Sequence, residues 1–208
     1  MVVKIILINL LATFSISNFC FAQDSSSYYQ QYIDREKKYV VSLLNAKTEK
    51  DFYIILSGCK PNSLIWSYLP FFYPLDKNSI VVSSGFGYRV HPITGKRSFH
   101  KGIDIPISCG TKVIASGNGC ILDTGYDPYL GNFIKIVHGF KWISIYGHLS
   151  QIDVFKNQKV SYGQVIGLSG TTGRSTGCHL HYGIYYNKVP VSSLKYIKLL
   201  IHSLQHGF

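Results

Sequence analysis

The chain has 208 residues, of which 46% are hydrophobic, 14% aromatic and 15% charged, with 19 Gly and 7 Pro. That balance excludes a wholly disordered chain, a collagen and a long coiled coil, and it allows one good-sized domain plus an extension, or two small ones. Lys and Arg outnumber Asp and Glu by 21 to 10, and the net charge of +11 favours nucleic acid, a membrane surface or an acidic polymer as surroundings without choosing among them.

In chain order, Met1–Ala22 comes first. It begins with a positive charge at Lys4, continues in an apolar run from Ile5 to Ile16 and ends on the small residue Ala22. This is the pattern of a secretory signal peptide, with cleavage expected before Gln23. The alternative is an uncleaved anchor, but the run is short for a span and Ser15, Ser17 and Asn18 interrupt its end. The expected mature protein is exported to the periplasm or cell envelope and has no stable membrane span. Four cysteines remain in it: Cys59, Cys109, Cys120 and Cys178. They allow two disulfides in three connectivities, and none has the paired spacing of a structural zinc site.

Residues 23–78 read as a helical N-terminal region. Tyr29, Tyr32, Ile33, Val40, Leu43 and Leu44 recur near a 3.6 period, with Asp34, Arg35, Glu36, Lys37 and Lys38 on the other side. Thr48–Asp51 resembles a capping box opening a second helix through Leu56. Pro61, Pro70 and Pro74 then break the chain.

From Ile80 the texture becomes β-rich. Apolar runs at 80–82, 112–115, 120–122, 133–137, 142–146, 165–168 and 180–185 alternate with Gly, Asn and Asp turns. With no helical pattern between them, a mainly antiparallel sheet is expected, and Ser116–Gly119 signals a hairpin. Residues 193–208 read as a basic C-terminal tail.

The chemistry lies in three histidine clusters of the β-rich half. His100 and Asp104 stand four apart, and on one strand they share a face; His179 and His181 stand two apart and do the same. His148 falls at the end of a run. Imidazole with carboxylate suits zinc, and a catalytic zinc takes three protein ligands while leaving one position open. His138 reads as a strand end at the surface, and His91, His202 and His206 are not assigned to metal. Arg89 is a candidate for binding a substrate carboxylate, or for an ion pair.

Residues 84–92 (SGFGYRVHP), 100–104 (HKGID), 146–149 (YGHL) and 170–181 (GTTGRSTGCHLH) resemble, in order, the motifs of the lysostaphin/LytM-type zinc metallopeptidases. The resemblance spans roughly residues 80–192 and gives a metallopeptidase domain of 79–192. It implies a compact antiparallel β fold, one zinc ion on His100, Asp104 and His181, catalytic roles for His148 and His179, and hydrolysis of peptide bonds in peptidoglycan. Cys178 stands where that family usually has Pro. Peptidoglycan peptide stems are the expected partner; with no recognisable nucleic-acid motif, no nucleic acid is expected. Two other readings are a non-catalytic cell-wall module that activates a partner hydrolase, and a general secreted protease.

Overall fold

A computed structural model of the chain describes residues 26–60, 63–76, 80–90 and 95–206, with the side chains of 26–33, 35 and 206 outside that description. The expected signal segment, the side chains of Tyr29, Tyr32 and Ile33, and His91 all lie outside the described residues. The chain divides into two compact units, one ending at Ile65 and the other running from Trp66 to His206.

In the first unit, α1 (Ser26–Asn45) is followed by α2 (Glu49–Ser57). Val40 and Leu43 of α1 are buried, as are Phe52 and Leu56 of α2. The capping box forms as expected: the Asp51 amide donates to Thr48 Oγ1 at 3.1 Å and the Thr48 amide to Asp51 Oδ2 at 3.0 Å. Glu36, expected on the polar face, is instead buried, and Ser63 Oγ donates to its Oε2 at 2.8 Å. A hydrogen-bonding partner from beyond the helix makes that burial tolerable.

The second unit is built of antiparallel strands. In chain order they are β1 (Gly87–Val90), β2 (Arg97–His100), β3 (Ile103–Pro106), β4 (Lys112–Ile114), β5 (Gly119–Asp127), β6 (Gly131–Val137), β7 (Trp142–Leu149), β8 (Gln151–Ile152), β9 (Lys159–Val160), β10 (Val165–Leu168), β11 (His179–Tyr186) and β12 (Val189–Val191). The main sheet runs β12-β11-β7-β6-β5-β9, with β3 also paired to β11. A three-stranded sheet, β4-β10-β8, and the β1-β2 pair complete the set. Helix α3 (Ser193–His206) replaces the expected tail, and its Tyr196, Ile197 and Leu200 are buried.

Three local expectations differ. Ile80–Val82 forms no strand; beside it, Ser84 bridges Asp104 instead. Ser116–Gly119 is not a hairpin turn, because β4 pairs β10 while β5 pairs β6 and β9. The segment is drawn aside, with the Asn118 amide donating to Ser67 O at 2.6 Å and Gly117 lying so close to Leu69 O that no Cβ fits. Trp66–Leu75 belongs to this unit, although a boundary at 78/79 was expected. Leu69, Phe71 and Leu75 are buried, and Phe71 stacks on Tyr196 at 4.6 Å and meets Trp142 edge-on at 4.8 Å.

His138, expected at the surface, is buried in a polar seam. Its Nδ1–H donates to Asn118 O at 2.9 Å, and its Nε2 faces Ser144 Oγ at 2.7 Å. Tyr146 and Tyr182 continue the seam through Ser116, and the Tyr182 hydroxyl donates to Pro70 O at 2.7 Å. Ser144, Tyr146 and Tyr182 stand on one face of β7 and β11; His148, His179 and His181 stand on the other.

Candidate active site

Strand pairing brings the first cluster together. His181 on β11 lies directly opposite Asp104 on β3, and Nδ1 of the former is 3.0 Å from Oδ1 of the latter. The backbone of Asp104 is held from the other side as well, its amide donating to Ser84 O and its carbonyl accepting from the Ser83 amide, both at 2.9 Å. His100 and Asp104 do not share one strand. His100 closes β2, the chain turns through Lys101–Gly102, and Asp104 lies in β3. Even so, His100 Nε2 comes within 3.1 Å of both Asp104 Oδ1 and His181 Nδ1.

Gly102 makes this approach possible. A Cβ there would sit 2.6 Å from Tyr182 O and 2.8 Å from the His181 ring.

The triangle of donor atoms passes a simple test for a metal. Ligands about 2.0–2.1 Å from a tetrahedral ion lie roughly 3.3 Å from one another; these three lie 3.0–3.1 Å apart. His100 Nδ1–H donates to Gly85 O at 2.8 Å, which leaves its Nε2 to offer a lone pair. Two imidazole nitrogens and a carboxylate oxygen can share only a proton or so among them, whereas a dication satisfies all three. The residues fit zinc by number, type and spacing.

Burial alone would raise the Asp104 carboxyl, but hydrogen bonds and charge from His100 and His181 outweigh it and hold the group well below the usual carboxylate range. Burial lowers His181, against the pull of Asp104. Arg89 reaches Asp104 too, its guanidinium 3.1 Å from Oδ2, so it is placed on a carboxylate of the candidate metal site as well as along the cleft wall.

His148 and His179 stand beside this cluster with ring centroids 4.5 Å apart. Each has Nδ1–H engaged by a backbone carbonyl at 2.8 Å, Thr172 O for His148 and Gly177 O for His179. A carbonyl only accepts, so the nitrogen each offers to the cleft is Nε2. Burial pushes His148 down to about 4, partly offset by the Thr172 bond. His179 Nε2 is 3.7 Å from Asp104 Oδ1.

All five residues line one cleft of about 440 Å³, which Tyr129, Arg174 and Ser175 also border. Sequence reasoning missed the backbone carbonyls of Gly85, Thr172 and Gly177, which set the ring orientations; a main-chain acceptor leaves no mark in residue type. The Arg174 guanidinium lies 5.8 Å from the Tyr129 ring centre. One disulfide is present among the described residues, Cys109–Cys178, at the cleft edge; Cys120 is half-buried, and the buried Cys59 thiol donates to Ile55 O at 3.7 Å.

The family model for Peptidase family M23 matches residues 98–193. Peptidoglycan DD-endopeptidase ShyA of Vibrio cholerae is 45% identical over 123 residues, 59% of this chain and 29% of that protein. A crystal structure of a zinc containing peptidase from Vibrio cholerae is 37% identical with a TM-score of 0.56, over 62% of this chain and 39% of that one. The catalytic domain of the antimicrobial peptidase lysostaphin from Staphylococcus simulans is 31% identical with a TM-score of 0.52, over 57% of this chain and 92% of that domain. The chain thus spans less than a third of the length of the curated relatives named DD-endopeptidases. The matched residues include the strands that carry all three donors and both neighbouring histidines, and nearly the whole lysostaphin catalytic domain is covered: the chain belongs to peptidase family M23.

Proposed function

We propose that this chain is an exported zinc-dependent endopeptidase that hydrolyses peptide cross-links of bacterial peptidoglycan. The observation that carries the reading is the donor triangle of His100, Asp104 and His181 with two carbonyl-oriented histidines beside it in one open cleft. The relatives named peptidoglycan DD-endopeptidases support the substrate class and point to a D,D bond. The net charge of +11 suits an anionic wall polymer.

His100, Asp104 and His181 would hold the ion. Zinc bound there supplies Lewis acidity and makes a neighbouring water a stronger acid. The protein's own part is proton traffic and charge stabilisation. His148 and His179 present Nε2 to the cleft, where one takes the proton released as water attacks the peptide carbonyl. The same imidazolium passes it to the departing amine, so the products are a carboxylic acid, which then gives up its proton, and an amine. The second histidine, when protonated, donates to the oxygen that gathers negative charge. Arg89 steadies Asp104 through Oδ2.

Residues 1–22 support export by their charge and apolar pattern. Among the described residues, no helix is long and apolar enough to cross a membrane.

The test is digestion of purified sacculi and of casein by zinc-loaded and chelator-treated protein, with released fragments identified by mass spectrometry. The expected result is zinc-dependent release of stem peptides cut at their cross-links. Cleavage of casein with intact sacculi would favour a general protease. Zinc binding with no cleavage of either would favour a non-catalytic wall module.

A further inference from the structure

We propose that the Cys109–Cys178 disulfide positions His179 by fixing the peptide plane whose carbonyl oxygen orients the imidazole; this rests on the reading of His179 as a residue of the hydrolytic site. The groups that hold the His179 ring are not in the sheet. Its Nδ1–H donates to Gly177 O at 2.8 Å, with Ser175 Oγ 3.3 Å away, and Ser175 Oγ in turn donates to Gly177 O at 2.7 Å. All belong to the irregular segment 171–178 between β10 and β11, in which Thr176, Gly177 and Cys178 are exposed.

The Gly177 carbonyl shares one planar peptide unit with the Cys178 nitrogen. That plane is aimed by the Cα atoms at its two ends. At the Gly177 end the residue has no side chain to hold it, and its amide donates to Ser175 Oγ at 3.3 Å, a hydroxyl of the same irregular segment. The Cys178 end is held covalently.

The other end of the disulfide is firmly set. Cys109 sits in the turn Ser108–Thr111, which clasps the fully buried Ser169: Ser169 Oγ donates to Ser108 O at 2.7 Å, the Thr111 amide donates to Ser169 Oγ at 3.0 Å, and the Gly110 amide donates to Ser169 O at 2.8 Å. The disulfide therefore transmits the position of that buried serine to the carbonyl that orients His179.

His148 provides an internal comparison. Its orienting carbonyl belongs to Thr172, whose Oγ1 donates to Leu149 O at 2.7 Å and accepts from the Asn132 amide at 3.0 Å. Those sheet contacts aim Thr172 without help from a disulfide. Opening the disulfide should therefore release His179 and leave His148 in place.

The test uses the zinc-loaded full chain in three forms: wild type, Cys109→Ala/Cys178→Ala, and wild type reduced by a dithiol and desalted. In the last form the reductant's two thiols become its disulfide as Cys109 and Cys178 become thiols, so a folding defect peculiar to the variant does not decide the result. Imidazole NMR reads the Nδ1–H proton of each histidine. In both opened forms the His179 proton should be lost to exchange with water while the His148 proton persists and zinc stays at one per chain. On a cross-linked stem peptide kcat should fall roughly tenfold to a hundredfold, with KM changed less than about threefold, and reoxidation should restore the reduced form. If the His179 proton and kcat are both unchanged, the disulfide positions nothing. Joint loss of both histidine protons and of zinc would make it a general support, which also overturns the proposal. Should wild type cleave no stem peptide, the functional reading fails, and the two NMR signals still decide the positioning.

Discussion

His148 and His179 meet at a ring separation of 4.5 Å after reaching the cleft by different backbone routes. His179 follows the plain alternation of β11 and shares a face with His181. His148 does not follow that of β7, where alternation from Ser144 and Tyr146 would send it into the buried polar seam. Between the pairs Asn132↔Leu149 and Ile134↔Tyr146 the register shifts, so Gly147 and His148 together oppose Phe133 alone. His148 takes φ +61, and this bulge turns its side chain to the His181 side.

From that arrangement the five residues should separate into two groups. Ala at His100, Asp104 or His181 removes a donor from the triangle, and bound zinc should drop well below one per chain along with activity. Ala at His148 or His179 leaves the triangle whole, so zinc should remain near one per chain while kcat falls about a hundredfold or more. Metal analysis beside a sacculus-digestion assay reads both. Loss of zinc from His179→Ala with retention in His181→Ala would reverse the assignment.

Gly102→Ala should disturb the same site without replacing a donor. Its Cβ would press on Tyr182 O and the His181 ring, and neither the backbone of β11 nor a ring held by Asp104 yields cheaply. We expect a loss of about 1–3 kcal/mol in stability and weaker zinc binding. Gly125→Ala is the control, since a Cβ there meets the Phe133 ring only at 3.7 Å, an ordinary contact away from the site. Equal zinc affinity in the two variants would mean the turn at Lys101–Gly102 has slack.

That His100, Asp104, His148, His179 and His181 line one cleft was legible, because metal and proton chemistry draws on these side-chain types, although His100 and Asp104 meet across a turn and not along one strand. The antiparallel class was legible from short apolar runs between turn residues. What escaped was set by partners distant in the chain. Glu36 looks like a surface residue until Ser63, 27 positions on, supplies its hydrogen bond. His138 looks like a strand end until Asn118 and Ser144 enclose it. The bulge at His148 leaves no pattern of its own, and Cys109 and Cys178 are 69 residues apart with nothing local to pair them.

Phe71 tests how far the second unit extends ahead of its first strand. The ring is fully buried, stacked on Tyr196 and edge-on to Trp142, so Phe71→Ala removes contacts to both α3 and β7. A loss of about 3–5 kcal/mol is expected in urea unfolding of the full chain. A loss below about 1 kcal/mol would mean the Trp66–Leu75 segment lies on the unit without supporting it.

His138 gives the fold a dependence on acid. Burial pushes its pKa down to about 4 from an ordinary 6.5, with the Asn118 carbonyl bond opposing part of that shift. Above pH 6.5 the ring is neutral in both folded and unfolded chains, and its contribution to stability is complete. As pH falls from 6.5 toward 4, the unfolded chain takes up a proton that the folded chain refuses, so stability drops across that window. His148 and His181, also lowered by burial, act in the same direction, and Asp104 adds its own loss at lower pH, where the unfolded carboxyl becomes protonated. Removing one of these groups should therefore flatten the curve without abolishing its slope. In His138→Gln the stability at pH 7 should be lower, because the seam loses its fit, but the decline between pH 6.5 and 4 should lose up to one proton's worth of slope, about 1.4 kcal/mol per pH unit at most. Urea unfolding of both proteins at half-unit steps of pH supplies the comparison. Parallel curves would show that His138 is protonated at its ordinary pKa in the fold, and that the buried seam tolerates the charge.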